Sequence, residues 1–244
     1  MKYIQEYLIH YYEIDQNKRL KPSVLISYLQ DIAILNSTEA GLSLDDYEKM
    51  NRGFMLLNWC IKVYLMPEFK QTIKIITEPT TFKRFLANRK YWVKDKKGNL
   101  LAEANSVWIF ADTQTRKPCQ IPDDIYLKFG IDKESYKYFD KLNTIQAVHE
   151  GEIYDKIKIT NNDIDTNNHV NNVCYVVWAL DPLPLEWINK YLIKEINVNY
   201  KRELYFGDDV KLITKFDENK EYKKTAHSFY NNDVEICNVE FCWI

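Results

Sequence analysis

The chain has 244 residues, 46% of them hydrophobic, which is enough to fill one large core or two smaller ones. Its 33 basic and 35 acidic residues give a net charge of −2, which argues against a dedicated nucleic-acid-binding protein because such proteins carry a clear basic excess. The longest apolar stretches are short and interrupted by polar residues, so the sequence predicts no membrane insertion.

The N-terminus and the cysteines indicate the compartment. The first fifteen residues, MKYIQEYLIHYYEID, have neither the apolar region of a signal peptide nor the Arg-rich, acid-poor character of a transit peptide. The five cysteines are an odd number, and none forms a C-x-x-C pair, which argues against a disulfide framework and against a zinc site. We therefore expect a reduced, cytoplasmic protein without a metal or another cofactor.

The first element in chain order is a polar stretch that leads into a helix, EIDQNKRLKPSVLISYLQDIA at residues 13–33. Pro22 suits the first turn of this helix, and Gly41 is of the residue type that commonly ends one. Between them, apolar residues recur at helical spacing. They are Val24, Leu25, Tyr28, Leu29, Ile32 and Leu35. Residues 89–110 then contain two runs rich in β-branched and aromatic residues around a charged, Gly-containing turn, which predicts a β-hairpin.

The second half of the chain repeats this pattern. The run DIDTNNHVNNVCYVVWALDPL at residues 163–183 aligns with residues 13–33 without a gap, so Asp165 stands 150 positions after Asp15. Its apolar residues again have helical spacing, and a second predicted hairpin occupies residues 226–244. The repeat indicates that one structural unit occurs twice.

A second landmark shows where the two copies differ in length. The run FKQTIKIIT at residues 69–77 corresponds to FGDDVKLIT at residues 206–214, an offset of 137 residues. The first copy is therefore longer by 13 residues before this point. The segment NSTEAGLSLDDYEKMNRG at residues 36–53 accounts for the surplus.

Each copy has the order polar loop, helix and antiparallel strands, which predicts an α+β tandem repeat. In such a fold a sheet wraps the mostly apolar helix and buries it. We expect one domain at residues 1–135 and the other at residues 149–244. The Lys- and Asp-rich segment from Pro118 to about Val148 is expected to connect the two copies.

The polar loop of the second copy, DIDTNNHVNN at residues 163–172, holds the candidate chemistry. Asp165 and Asn167 have counterparts in the first copy, and side chains of these types can cap a buried helix. His169 has no such counterpart, because Arg19 stands opposite it. An imidazole can act as a general base near neutral pH, and amide and helix N-terminal N–H groups can hold a carbonyl oxygen that becomes negative. The residues alone leave open a polar helix cap and a catalytic loop.

Several motifs carry a resemblance to a known family. The run IDTNNHVNNVCYVVWALDPLP at residues 164–184 closely resembles the D-x-N-x-H-V-N-N-x-x-Y signature of the acyl-ACP thioesterases, known from plant plastids and from bacteria. Residues 88–125 resemble that family's strand run with its Ser-Val-Trp and Thr-Arg-x-x-x-x-Ile-Pro elements, and residues 11–42 resemble its N-terminal helix. The run INVNYKRELYFGDDV at residues 196–210 resembles the segment that the family usually has as Y-R-R-E-C-G. These matches cover most of the chain in order, and they imply a double hotdog fold.

The resemblance implies a catalytic group of Asp165, Asn167 and His169, joined by Glu203 from a strand. Where the family commonly has Cys after this Glu, the chain has Leu204, and no other cysteine is a good substitute as a nucleophile. We therefore expect attack by water that His169 and Glu203 position and deprotonate, while Asn167 and backbone N–H groups hold the thioester carbonyl. Asp165 is expected to orient Asn167 or His169, and the sequence leaves both choices open.

The implied function is release of a free fatty acid from acyl-ACP in fatty acid biosynthesis. The N-terminal copy is then non-catalytic and binds the acyl chain, while the C-terminal copy carries the catalytic residues. The expected partner is acyl carrier protein (ACP) bearing a fatty acyl thioester, and the expected assembly is a monomer or a homodimer. The alternatives are an acyl-CoA thioesterase of the same fold, a dehydratase of β-hydroxyacyl chains and a non-catalytic acyl-binding protein.

A group of basic residues in the first copy allows two interpretations. The ordinary interpretation of these residues is a set of solvated strand faces, and the sharper one is local positive charge that attracts an acidic carrier. The residues are Lys83, Arg84, Arg89, Lys90, Arg116 and Lys117.

Overall fold

The computed structural model describes residues 1–141, 144–218 and 223–244, with only the backbone of residues 153–156. The chain divides into two compact units, Met1–Trp59 with Tyr64–Leu142 and Cys60–Val63 with Asn143–Ile244. Each unit contains antiparallel strands and a buried helix, which confirms the predicted α+β class.

In the first unit the strand order is β1-β3-β4-β5-β2, and β1, β3, β4 and β5 pair antiparallel in that order. The elements are β1 (Tyr3–Leu8), α1 (Pro22–Glu39), α2 (Leu44–Met50), β2 (Arg52–Val63), β3 (Thr72–Lys83), β4 (Leu86–Asp95), β5 (Leu100–Asp112) and α3 (Asp123–Phe129). The last four residues of β2 group with the second unit.

Helix α1 is the central helix of the first unit. It begins at Pro22, as predicted, and its buried face includes Leu25 and Leu29, which have no exposed surface and pack towards β1 and β3. Burying each such side chain contributes roughly 1.5–3 kcal/mol. After the helix ends at Glu39, Gly41 takes a φ of 75°, a left-handed conformation that glycine adopts without strain.

The segment after β5 does more than connect the two copies. Within it, α3 buries Ile125 and Phe129 in a cluster that also contains Phe82 and Phe110. The segment predicted as a connection, Pro118 to about Val148, therefore supplies part of the first core. Its residues 142 and 143 lie outside the described residues.

Arg89 corrects one sequence-based interpretation, since it is neither on a solvated strand face nor available for docking. Only 7% of its surface is exposed, and its Nη1 donates a hydrogen bond to the Oδ1 of Asn36 at 2.7 Å. Its guanidinium lies 5.8 Å from the ring centroid of Phe129, and burial lowers the pKa of Arg89. The alternation of β4 places the residue on the buried face of the sheet, whereas Lys83 and Arg84 at the preceding turn are exposed.

In the second unit the strand order is β7-β10-β9-β8-β6, with all neighbours antiparallel. The elements are β6 (Glu152–Ile157), α4 (Asn172–Leu180), α5 (Leu185–Lys190), β7 (Ile193–Tyr200), β8 (Val210–Glu218), β9 (Lys223–Asn231) and β10 (Val234–Trp243). Helix α4 packs on this sheet through Tyr175, whose ring meets Tyr200 of β7 and Phe229 of β9 edge to face. The sheet thus covers α4 in the second unit, as β1 and β3 cover α1 in the first.

Candidate active site

The loop before α4 folds around the carboxylate of Asp165. This carboxylate accepts hydrogen bonds from the backbone N–H of Asn167 at 2.8 Å and from that of His169 at 3.3 Å. The N–H of Asp165 donates in turn to the carbonyl oxygen of His169 at 2.8 Å. Asn168 at the tip has a φ of 62°, in the left-handed region that Asn tolerates better than most residues. The sequence left open whether Asp165 orients Asn167 or His169, and its carboxylate contacts the backbone of both.

The two asparagines at the end of the loop hold it to its surroundings. The Oδ1 of Asn171 accepts the N–H of Val173 at 3.0 Å, which caps α4. The carbonyl oxygen of Asn172 accepts the hydroxyl of Tyr200 on β7 at 2.9 Å. Both contacts belong to the structural role that such residues have at a helix start.

A backbone hydrogen bond joins the loop to the segment that follows β7. The N–H of Val170 donates to the carbonyl oxygen of Leu204 at 2.8 Å, and the side chain of Leu204 is fully buried. This bond brings the neighbouring residues together, so that Nε2 of His169 lies 3.2 Å from Oε2 of Glu203. Of the four residues that the sequence singled out, His169 and Glu203 are in side-chain contact.

The His169–Glu203 pair lies at the edge of the protein interior. The side chain of His169 is 10% exposed and that of Glu203 is 34% exposed, so the ion pair that forms when the imidazole is protonated is partly shielded from water. A carboxylate that accepts the Nε2–H of a neutral imidazole leaves the basic lone pair on Nδ1. The pair can therefore take a proton and stabilise the resulting charge.

Asn167 and Asp165 differ from this pair. Asn167 has an exposed side chain, and its backbone N–H is held by Asp165. Asp165 acts on the loop through backbone hydrogen bonds. The Asp165 carboxylate is thus bonded within the turn, whereas the Asn167 side chain lies on the exposed surface.

Tyr205 also belongs to the site, although the sequence analysis did not single it out. Its ring centroid lies 4.8 Å from that of His169, with the ring planes at 61°. The signal in the sequence is its position two residues after Glu203, where the family pattern Y-R-R-E-C-G has Gly.

Three cysteines of the second unit, Cys174, Cys237 and Cys242, are not activated. Burial, followed by the charge of Asp163, raises the pKa of Cys174 to about 12, and the Sγ of Cys174 lies 3.6 Å from the Oδ1 of Asp163. Burial also raises the pKa of Cys237 well above its usual value and that of Cys242 to about 11. A thiolate nucleophile is disfavoured at all three positions.

The part of the chain that the structure describes has neither a metal-binding cluster nor a membrane-spanning helix. Across residues 1–141, 144–218 and 223–244, no three His, Cys, Asp or Glu side chains are grouped so that they could hold a metal ion. None of the helices in these ranges is long and apolar enough to cross a membrane.

The tandem arrangement agrees with that of solved structures. A protein described as an oleoyl thioesterase from Lactobacillus plantarum superimposes with a TM-score of 0.91 over 100% of this chain and 96% of its own, at 23% identity. An acyl-ACP thioesterase from Bacteroides thetaiotaomicron superimposes with a TM-score of 0.86 over 100% of this chain and 98% of its own, also at 23% identity. The fold is the double hotdog that the resemblance implied.

Family membership follows from the sequence matches. Residues 1–129 match the family described as the acyl-ACP thioesterase N-terminal domain, and residues 145–244 match the C-terminal domain. The chain therefore belongs to the acyl-ACP thioesterase family. The chloroplastic oleoyl-acyl carrier protein thioesterase 1 of Arabidopsis thaliana is 24% identical over 88% of this chain. The alignment spans 64% of that protein, which is less than two thirds of its length.

Proposed function

We propose that this chain is a thioester hydrolase that releases a free fatty acid from acyl-ACP. The observation that carries the proposal is the 3.2 Å contact between Nε2 of His169 and Oε2 of Glu203 in a chain of this family. The names of the similar Arabidopsis and Bacteroides proteins support an ACP-bound acyl substrate. Residues 149–244 carry the catalytic group in this proposal, and residues 1–135 bind the acyl chain. Fatty acid biosynthesis in the cytoplasm is the setting that we propose.

The nucleophile in the proposed reaction is water. The Glu203 carboxylate accepts the Nε2–H of His169, so Nδ1 takes the proton from water as the water oxygen attacks the thioester carbonyl. The imidazolium that forms is stabilised by the carboxylate 3.2 Å away. The buried Leu204 and the raised pKa of Cys174 support water rather than a thiolate in this step.

The tetrahedral intermediate then collapses. The exposed amide of Asn167 and a backbone N–H at the start of α4 donate hydrogen bonds to the oxygen that becomes negative. The carbon–sulfur bond breaks, and the proton passes from His169 to the departing thiolate. The products are a fatty acid and the free thiol of the carrier, which balances the water consumed.

The test is a substrate panel with a matched pair of variants. The protein is incubated with acyl-ACP, acyl-CoA and β-hydroxyacyl-ACP of the same chain length, while thiol release and dehydration are followed. We expect thiol release from acyl-ACP that falls by a factor of about 10² or more in His169→Ala, the scale for a lost general base. Arg19→Ala, at the corresponding position of the first copy, is expected to keep wild-type turnover.

Each other outcome has a definite meaning. Full turnover in His169→Ala contradicts the catalytic role of His169. Thiol release from acyl-CoA alone contradicts ACP as the carrier of the acyl group. Dehydration without thiol release would identify a lyase. Binding of all three substrates without turnover would identify a non-catalytic acyl-binding protein.

A further inference from the structure

Tyr205 covers the imidazole of His169. The two ring centroids are 4.8 Å apart, and the 61° angle between the planes makes this an edge-to-face contact. His169 is only 8% exposed although it lies in a loop, whereas Tyr205 is 49% exposed. Tyr205 is therefore the more exposed ring of the pair, and it covers part of the imidazole.

Hydrogen bonds on both sides of Tyr205 hold its backbone in place. Its N–H donates to Oδ2 of Asp208 at 2.8 Å, and the N–H of Asp208 donates to the carbonyl oxygen of Tyr205 at 3.1 Å. Gly207 closes this turn with a φ of 92°, which is strained for any residue with a side chain. On the other side lies the buried Leu204, whose carbonyl oxygen accepts the N–H of Val170. Tyr205 is thus fixed in a tight turn.

The ring is a feature of the copy that carries the imidazole. In the first copy, the offset of 137 residues puts Glu68 at the corresponding position, and Glu68 is exposed and forms a backbone bridge with Arg19. The family pattern has Gly at this position. The Tyr205 ring therefore occurs only beside His169. It is found neither at the corresponding position of the first copy nor in the family pattern.

We propose that Tyr205 is a positioning residue that fixes the orientation of the His169 ring for catalysis and shields one side of it from bulk solvent, while Nδ1 stays open to the attacking water. Glu203 holds Nε2 of the imidazole, and Tyr205 packs against the ring two residues further along the chain. One contact fixes the direction of the N–H bond and the other restricts the tilt of the ring. This inference rests on the proposed hydrolysis, because orientation of the base matters only if His169 takes the proton.

The test separates the contribution of the aromatic ring of Tyr205 from that of its hydroxyl group and from that of side-chain bulk. Tyr205→Phe keeps the ring contact, so we expect kcat close to wild type. Tyr205→Ala and Tyr205→Leu remove it, and we expect kcat to fall about fivefold with KM unchanged, the scale for one aromatic contact. The Leu variant keeps part of the apolar bulk and keeps the test valid if the Ala variant fails to fold. Glu68→Ala is the matched control, and we expect it to leave kcat unchanged.

A second measurement does not depend on turnover. Diethyl pyrocarbonate modifies accessible imidazoles, and His10, which is exposed, serves as the internal reference. We expect His169 to react faster in Tyr205→Ala than in wild type, with the rate at His10 unchanged. If the protein hydrolyses no thioester, the proposed function is wrong. The modification rate of His169 still tests whether Tyr205 covers the imidazole.

Three results would overturn the inference. Unchanged kcat and unchanged modification of His169 in the Ala and Leu variants would show that the ring contact is passive. A raised KM with unchanged kcat would make Tyr205 a substrate contact instead. Loss of kcat in Tyr205→Phe equal to that in Tyr205→Ala would assign the effect to the hydroxyl.

Discussion

The same polar turn is built twice in this molecule, once before α1 and once before α4. Asp15 and Asp165 each accept backbone hydrogen bonds from the residues two and four positions later, at 2.8 and 2.9 Å in the first copy and at 2.8 and 3.3 Å in the second. At the tip of each turn a residue takes a left-handed conformation, with a φ of 61° at Lys18 and 62° at Asn168. The backbone of the turn therefore does not distinguish the two copies.

The anchor of each turn is duplicated as well. Leu20 donates its N–H to the carbonyl oxygen of Pro67 at 2.7 Å, just as Val170 donates to Leu204 at 2.8 Å. Both acceptor residues are buried. Each turn is thus bonded to the segment that follows a strand, β2 in the first copy and β7 in the second.

Two side chains make the difference between the copies. Arg19 replaces the imidazole, and its guanidinium lies 3.4 Å from the carboxylate of Asp15 within its own turn. Met66 stands where the second copy has Glu203. The turn is therefore a scaffold common to both copies, and the candidate chemistry depends on the His169–Glu203 pair that only the second copy carries.

Removal of the Glu203 carboxylate is expected to lower turnover more than any change to the turn itself. Glu203→Gln keeps the size of the side chain but removes the charge that stabilises the imidazolium, so kcat for acyl-ACP should fall by a factor of about 10 to 10². Met66→Gln makes the matched change in the first copy and should leave kcat unchanged. The measurement is steady-state thiol release, and wild-type kcat in Glu203→Gln would contradict the role of the pair.

A smaller effect separates the turn from the chemistry. Asp15→Ala and Asp165→Ala each remove a carboxylate that accepts two backbone N–H bonds, so each should lower the free energy of unfolding by about 1–3 kcal/mol. Only Asp165→Ala also releases the loop that carries His169, and its kcat should fall by about tenfold. Urea unfolding and thiol release would be measured on both variants, and equal loss of kcat in the two would show that Asp15 also serves the reaction.

The repeat made the turn and its helix predictable from the sequence. The helix start at Pro22 follows from local chemistry, because proline suits the first turn. The contact between His169 and Glu203 could not be derived from spacing, since it depends on the backbone bond between Val170 and Leu204. The family resemblance was the source of that expectation. Long-range contacts of this kind have no signal in local periodicity.

Two other features lay beyond the sequence for related reasons. Arg89 has the charge of a surface residue, and its burial depends on the register of β4 and on an acceptor from α1, Asn36. Helix α3 is a single short helix in a charged segment, and Ile125, Tyr126 and Phe129 tie it to the first core. In both cases tertiary packing decides the environment of residues whose local pattern is polar.

The smallest effect that we expect concerns Cys174, at the start of α4. The offset of 150 residues puts Val24 at this position in the first copy, so Cys174→Val makes the second copy match the first. With a pKa of about 12, raised by burial and by Asp163, the thiol stays protonated at neutral pH, with a thiolate fraction on the order of 10⁻⁴ at pH 8. We therefore expect unchanged kcat in Cys174→Val, and the same response of variant and wild type to iodoacetamide. Loss of turnover on the scale of His169→Ala, or inactivation by iodoacetamide in the wild type alone, would make Cys174 the nucleophile and remove water from the proposed mechanism.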